Sequence, residues 1–359
     1  MSSQVAVLKT HPESVLEDYK RLLRLAKYDR YLPRENDTAL KINISWGIFY
    51  PGCSTTPWQL DGVIGTLLED GYRPDLIHGC HNDTVVVSAK KGEVKNKQRP
   101  VVVDKHGLRN LHLYEDPEWI TYEPKAKMHV LDEVFPAGIR IPKRMIGENI
   151  IHLPTLKTHV FTTMTGAMKN AFGGLLHRTR HWTHPVIHET LVDLLAIQKE
   201  IHGGLFAVMD GTVAGSGPGP RCMEVHTPGY ILASHDQVAI DAIAAKMMGF
   251  DPLSLRFIRM AHEDGLGVGD PREIEILGED ISGVNLHFHR ADTFASKGQH
   301  LLYHGMFKPL ERLLTRTPLV VLTYIASWAY HDWYWYPMIG RQRVRDFMQT
   351  PWGRLFQRY

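Results

Sequence analysis

Residues 186–210 read VIHETLVDLLAIQKEIHGGLFAVMD, and this stretch decides the fold. A helical run of more than ten residues leads into a short apolar strand, the unit from which a parallel sheet with helices on its faces is built. The rhythm recurs on both sides. Upstream stand LKINISW (40–46), PWQLDGVIGTLLEDG (57–71), DLIHGC (75–80), TVVVSA (84–89), RPVVVD (99–104) and ENIIHLP (148–154). Downstream come GYILAS (229–234) and DQVAIDAIAAKMMG (236–249). The pattern predicts an α/β fold with a largely parallel sheet, whose ligands would sit beyond the carboxyl ends of its strands.

The last of these helices is bracketed by Ser234 with Gln237, which predicts a capping box, and by Gly249 as a C-terminal stop. Between Lys90 and Arg140, prolines and scattered charges predict loops and short strands. Residues 13–28, ESVLEDYKRLLRLAKY, form an amphipathic docking helix. After Asn285 the rhythm gives way to aromatic-rich helical segments. Three regions follow: an N-terminal helical segment (1–39), an α/β domain (40–284) and a C-terminal helical, aromatic and basic extension (285–359).

The apolar run Pro318–Tyr330 has 13 residues, short of the roughly 20 that span a bilayer. From Lys308 to Arg358, eight Lys or Arg stand against three Asp or Glu, interleaved with Trp328, Trp333, Tyr334, Trp335, Tyr336 and Trp352. That mixture suits a membrane surface. Packing on the α/β body or on a second copy is the alternative, so a homo-oligomer stays open.

With 41 basic against 39 acidic residues and a net charge of +2, nothing favours nucleic acid, and electrostatic function has to be local. The N-terminal MSSQVAVLKTHPE lacks the long apolar core of a secretory leader, so a cytoplasmic setting is expected, peripheral to the inner face of the membrane if the extension binds lipid. Cys53, Cys80 and Cys222 are isolated, which predicts reduced thiols and no intrinsic iron–sulfur cluster.

The chemistry concentrates in residues 148–189, ENIIHLPTLKTHVFTTMTGAMKNAFGGLLHRTRHWTHPVIHE. From Lys157 to His184 it holds Lys157, Lys169, Arg178, Arg180 and four histidines, without one acidic residue. TGAMKNAFGG predicts a short helix rich in small residues, whose amides and lysine would favour a small anionic ligand. Lys169, Asn170 and Gly173 are its expected cofactor contacts. His177, His181, His184 and His188 recur at helical spacing, which offers a metal to His181 and His184, although Pro185 argues for a new helix there. Proton transfer and anion binding are the other histidine roles.

In VMDGTVAGSGPGP, Asp210 is read as ending a strand and Gly215 and Gly217 as part of a flexible ligand loop; no Walker or dinucleotide fingerprint is present. Asp236 falls in a first helical turn and has a structural explanation. Asp241 lies among apolar residues and needs a partner, so it is expected to face the site or hold a lysine. Without a GxSxG elbow, the toolkit is Lys, His and Asp: Lys157, His159, Lys169, His184, Asp210 and Asp241.

The ordered motifs LPTLKTH, TGAMKNAFGG, VMDG with GSGPG, ASHDQVAIDAIAAKMMG and EDGLGVGDPREIEILGE resemble the domain of unknown function 362 family from about Leu40 to Glu279. The resemblance implies an α/β fold and a prokaryotic, cytoplasmic setting, with no agreed activity. Many members add a cysteine-clustered ferredoxin-like module, which this sequence lacks. Over about thirty residues, His159, Lys169 and then His181 or His184 are also similar to the lactate racemase family, implying a nucleotide-type cofactor. The expected function is an oxidoreductase or isomerase acting on an anionic or nucleotide-bearing small molecule; the alternative is a ligand-binding or membrane-surface scaffold.

Overall fold

A computed structural model describes residues 3–84, 86–115 and 118–359, with the Arg178 side chain excepted. The strands, in chain order, are β1 (Ser3–Lys9), β2 (Thr38–Ile42), β3 (Ile77–His81), β4 (Arg109–His112), β5 (Trp119–Tyr122), β6 (Ile139–Pro142) and β7 (Asn149–Leu153). They continue as β8 (Thr155–His159), β9 (Thr163–Met164), β10 (Gly204–Ser216), β11 (Glu224–His226), β12 (Tyr230–Ser234) and β13 (Ile274–Gly278).

The main sheet runs β13-β1-β12-β10-β7-β2-β3-β4. From β10 to β4 every pairing is parallel, and β12 runs antiparallel between β10 and β1. All residues of β2, β3 and β7 are buried, as expected of parallel strands covered on both faces. The side chains alternate between two cores. Ala39, Ile150, Ala207 and Met209 join one, while Leu40, Ile151, Phe206 and Val208 join the other. The register puts Leu40 beside Ile151 and Ile151 beside Phe206. The result is three layers with the sheet in the middle.

The first core is covered by helices Gly166–Phe172, Ile187–Ile201, Gln237–Met248 and Arg256–Glu263, and the second by Val15–Leu25 and Pro57–Glu69. Thr56 caps the last of these, accepting a hydrogen bond from the Gln59 amide, with Pro57 in the first turn. The N-terminal segment does more than dock a helix: Ser3–Lys9 form β1, between β12 and β13.

Several local expectations are corrected. The cap before Gln237 is Asp236, whose Oδ1 accepts from the Val238 and Ala239 amides at 2.9 and 3.0 Å; Ser234 instead donates to the Gln4 carbonyl. Gly249 does end that helix, at φ 98°. Residues Pro100–Lys105 are helical, with Val101 and Val102 buried in the second core, so packing overrides the β preference of three valines. In TVVVSA, Val85 lies outside the described residues and its neighbours form no strand.

Asp210 does not end its strand. β10 continues to Ser216, and its glycines serve close packing: a Cβ at Gly211 would meet the Tyr230 carbonyl at 3.0 Å, and one at Gly215 the Met223 sulfur at 2.5 Å.

The extension partly returns to the body. Trp335 packs on Trp46 and Tyr50, Trp352 on Trp58 and Phe356 on Phe49. Trp328 donates to the Val86 carbonyl. Among the described residues, no helix is long and apolar enough to cross a membrane.

Candidate functional site

A cavity of about 310 Å³ lies at the carboxyl ends of β2, β3 and β8. Asn43 and Ser45 follow β2, His81 ends β3 with Asn82 beyond it, and His159 ends β8 with Phe161 beyond it; all line the cavity. Pro218–Arg221, past β10, add another edge. The extension closes the cavity with Leu302, Tyr303, Val320, Tyr324 and His331.

Lys41, Lys169, Arg180 and Arg221 line the cavity with five histidines, and no described lining residue is Asp or Glu. Lys41 and Lys169 make no ion pair among the described residues, and the charges acting on Lys169 are those of Lys157 and Arg180. Burial, then these two cations, lowers the Lys169 ammonium from its ordinary 10.5 to about 7. Burial brings Lys41 down to about 8, and its Nζ donates to the Ile42 carbonyl at 2.7 Å. Removing these two lysines from water without a nearby counter-charge is unfavourable.

Gly174 lets Lys41 reach the cavity: a Cβ there would stand 2.6 Å from its Cε. Lys169 and Asn170 come from helix Gly166–Phe172, and Asn170 ties that helix to β2 through the Lys41 carbonyl at 2.8 Å. The start of this helix is occupied by the protein itself. Asp241 accepts from the Ala167 and Met168 amides at 2.6 and 3.0 Å. Gly166 is required there, at φ +91°, because a Cβ would lie 2.4 Å from that carboxylate. The group that fills these amides is therefore the Asp241 carboxyl, which pairs with no lysine among the described residues and fixes the helix that carries Lys169. Burial raises its carboxyl to about 8 against the pull of the two amides.

The histidines have defined hydrogen-bonding senses. His159 Nδ1 accepts from the Phe161 amide at 3.2 Å, which assigns its proton to Nε2. His184 Nδ1 lies 2.9 Å from the His181 carbonyl; a carbonyl only accepts, so Nδ1 carries the proton and Nε2 keeps its lone pair. Burial first, then Lys169, keeps His159 well below its usual range, and burial brings His184 to about 4. Both rings are neutral near pH 7. The cavity thus offers an imidazole donor, an imidazole acceptor and two lysines able to change charge.

Of the sequence-derived residues, His159, Lys169, Asn170, Gly173, His181 and His184 line this cavity, whereas Lys157, Asp210, Asp241, Gly215 and Gly217 do not. Lys157 Nζ donates to Asn43 Oδ1 at 2.7 Å, Ser45 Oγ at 3.0 Å and the Cys53 carbonyl, securing the loop whose Asn43 and Ser45 form the wall. Asp210 accepts from the Thr56 hydroxyl and the Thr212 amide, so it braces the second core's helices. Gly217, at φ +93°, places its carbonyl to accept from Thr158 at 2.9 Å. Sequence reading passed over Lys41, His81, Asn82 and Arg221. A lysine inside the buried run of β2 and a histidine at the end of β3 were the available signals.

His181 Nε2 lies 3.0 Å from the Thr315 carbonyl. The described residues bring metal-ligand types together elsewhere: His81, Glu93 and His112 have donor atoms within 4.8 Å of one another. Those donors are engaged mutually, since Glu93 Oε2 lies 2.6 and 3.0 Å from His81 and His112 Nε2 and accepts from Asn110 at 2.7 Å. These three residue types could hold a metal ion, and of them His81 lines the cavity. The cysteines are free and buried.

Fold and site together define a three-layer α/β protein with a cavity lined by lysines and arginines at the ends of its parallel strands. The chain belongs to the family described as Domain of unknown function (DUF362), whose sequence profile matches residues 38–246, more than half of it. It is also similar to the Thylakoid-associated protein sll1697 of Synechocystis sp., 30% identical over 139 residues, which are 36% of this chain and 41% of that protein. The matched part is thus less than half of that relative's length.

Proposed function

We propose that this protein is an enzyme that binds an anionic small molecule in the cavity and moves a proton on it. One observation carries the reading: Lys41, Lys169, Arg180 and Arg221 face a common space that no described Asp or Glu lines. The anion would sit against Lys169 and Arg180, His159 Nε2–H would donate to the ligand, and the His184 Nε2 lone pair would accept from it. Such a pair serves an isomerase directly, and an oxidoreductase alongside an electron or hydride carrier. Lys157, Asp210 and Asp241 act in this reading as positioning residues.

We further place the protein at a membrane surface. Supporting this are the exposed apolar side chains of the extension and the thylakoid association stated in the relative's name.

Calorimetric titration with pyrophosphate and with a dicarboxylate tests the binding, using wild type, Lys169→Met and Arg180→Met. The expected result is binding of at least one anion by wild type, weakened at least tenfold in both variants. Equal affinity in all three proteins would refute the site. Solvent deuterium uptake at carbon of the bound dicarboxylate, lost in His184→Gln, tests the proton transfer.

A further inference from the structure

The cavity has two kinds of wall. Its cations come from the α/β body, but Ile42, Ile44, Val87, Phe161 and Phe172 stand beside them, and the extension adds Leu302, Tyr303, Val320 and Tyr324. At about 310 Å³ the space equals roughly ten waters at about 30 Å³ each, more than a bare inorganic anion fills. Phe161 joins the two sides: its ring centroid lies 5.7 Å from that of His184 and 5.9 Å from that of Tyr303.

The covering helices are apolar on their outer side as well. In helix Val320–Trp328, Val320, Thr323, Tyr324 and Ser327 line the cavity, while Val321, Leu322 and Ile325 are exposed. Phe294, Met306 and Trp333 are 84%, 76% and 68% exposed. Of the 17 exposed large hydrophobic residues among those described, 14 lie between Phe294 and Ile339. An apolar surface that concentrated marks a contact face. Exposed Lys308, Arg312, Arg341 and Arg345 accompany it, the charge sign that anionic lipid headgroups attract. The same short helices therefore separate a membrane-type surface from a cavity with a cationic floor and an apolar cover.

We propose that the ligand is an anionic amphiphile taken from the bilayer, its phosphate or carboxylate head against Lys41, Lys169 and Arg180 and its chain between Phe161, Phe172, Leu302 and Val320. This rests on the anion-binding reading above and adds the hydrophobic half of the ligand. Helices Phe294–Tyr303 and Val320–Trp328 then lie in the headgroup region and form the entry for the chain.

The test pairs two probes with the same phosphomonoester head, 1-oleoyl lysophosphatidate and glycerol 3-phosphate, titrated into the full-length protein below the micellar concentration of the lipid. Burying four or more methylenes at about 0.8 kcal/mol each predicts binding of the lipid at least ~100-fold tighter. Leu302→Gln should remove most of that advantage and leave glycerol 3-phosphate unchanged, and Lys169→Met should weaken both. Leu322→Asp with Ile325→Asp, outside the cavity, should reduce flotation with phosphatidylglycerol-containing vesicles at least tenfold, with the thermal midpoint and lysophosphatidate affinity retained. Equal affinity for the two probes overturns the amphiphile and leaves the anion site standing. Binding of neither overturns both readings. A lipid preference without wild-type flotation overturns entry from the membrane.

Discussion

Raising the pH should loosen the anion from this protein, and Lys169 sets where. Its ordinary value is 10.5 and the cavity holds it at about 7. At 1.36 kcal/mol per pKa unit, the ammonium is disfavoured by on the order of 5 kcal/mol, an upper bound because the half-buried side chain keeps some screening by water. A bound anion removes the cause by supplying the missing counter-charge, so the pKa rises on binding and the complex takes up a proton. The sign follows directly: affinity is full below pH 7, where Lys169 is already charged, and falls as pH rises through 7. The decline is about tenfold per pH unit, and it steepens above pH 8, where Lys41 also discharges. Pyrophosphate titrations at pH 8 in buffers of different ionisation enthalpy should report nearly one proton taken up by Lys169 on top of the share of Lys41, and Lys169→Met should lose the Lys169 contribution. A binding enthalpy independent of the buffer, or the same pH profile in the variant, would refute the reasoning.

Without ligand, the same lysine is a burden on the fold. Its depressed value means that the unfolded chain binds more protons between about pH 7 and 10, so Lys169→Met should stabilise the ligand-free protein by about 1–3 kcal/mol at pH 7, the gain shrinking towards pH 10, as read from thermal midpoints. Asp241→Ala should destabilise by about 2–4 kcal/mol by leaving two buried amides unpaired, and it should weaken anion binding through the Lys169 helix; unchanged urea denaturation would contradict the cap. Lys157→Met strands three oxygen acceptors around Asn43, Ser45 and Cys53 and should destabilise by about 2–3 kcal/mol, with chemical denaturation as the check. Gly166→Ala should be less tolerated than Gly65→Ala, since only the former has a positive φ and a Cβ 2.4 Å from a carboxylate oxygen.

The amino-acid sequence by itself determined the layered architecture, because parallel strands buried on both faces must read as apolar runs such as NIIHL and LFAVM, and the helices between them carry their own stops, as at Gly249. It also pointed to one segment of the cavity wall, since His159, Lys169, Asn170, Gly173, His181 and His184 sit close together in the chain. Periodicity encodes burial, so both were legible locally. Which charge meets which partner is not encoded locally. Asp241 reaches the 167 amide from 74 residues away, and Asp210 meets Thr56 across 154; these two acids were assigned to the site because their partners could not be seen. Lys41 and Arg221 enter the cavity from positions 180 residues apart in the chain, and the apolar cover arrives from beyond residue 293. Only the tertiary structure could bring these together, because the sheet order places chain segments side by side without regard to their distance in sequence. The same contacts decided the tail: Trp335, Trp352 and Phe356 found aromatic partners on the body, and Phe294, Met306 and Trp333 were left facing outward.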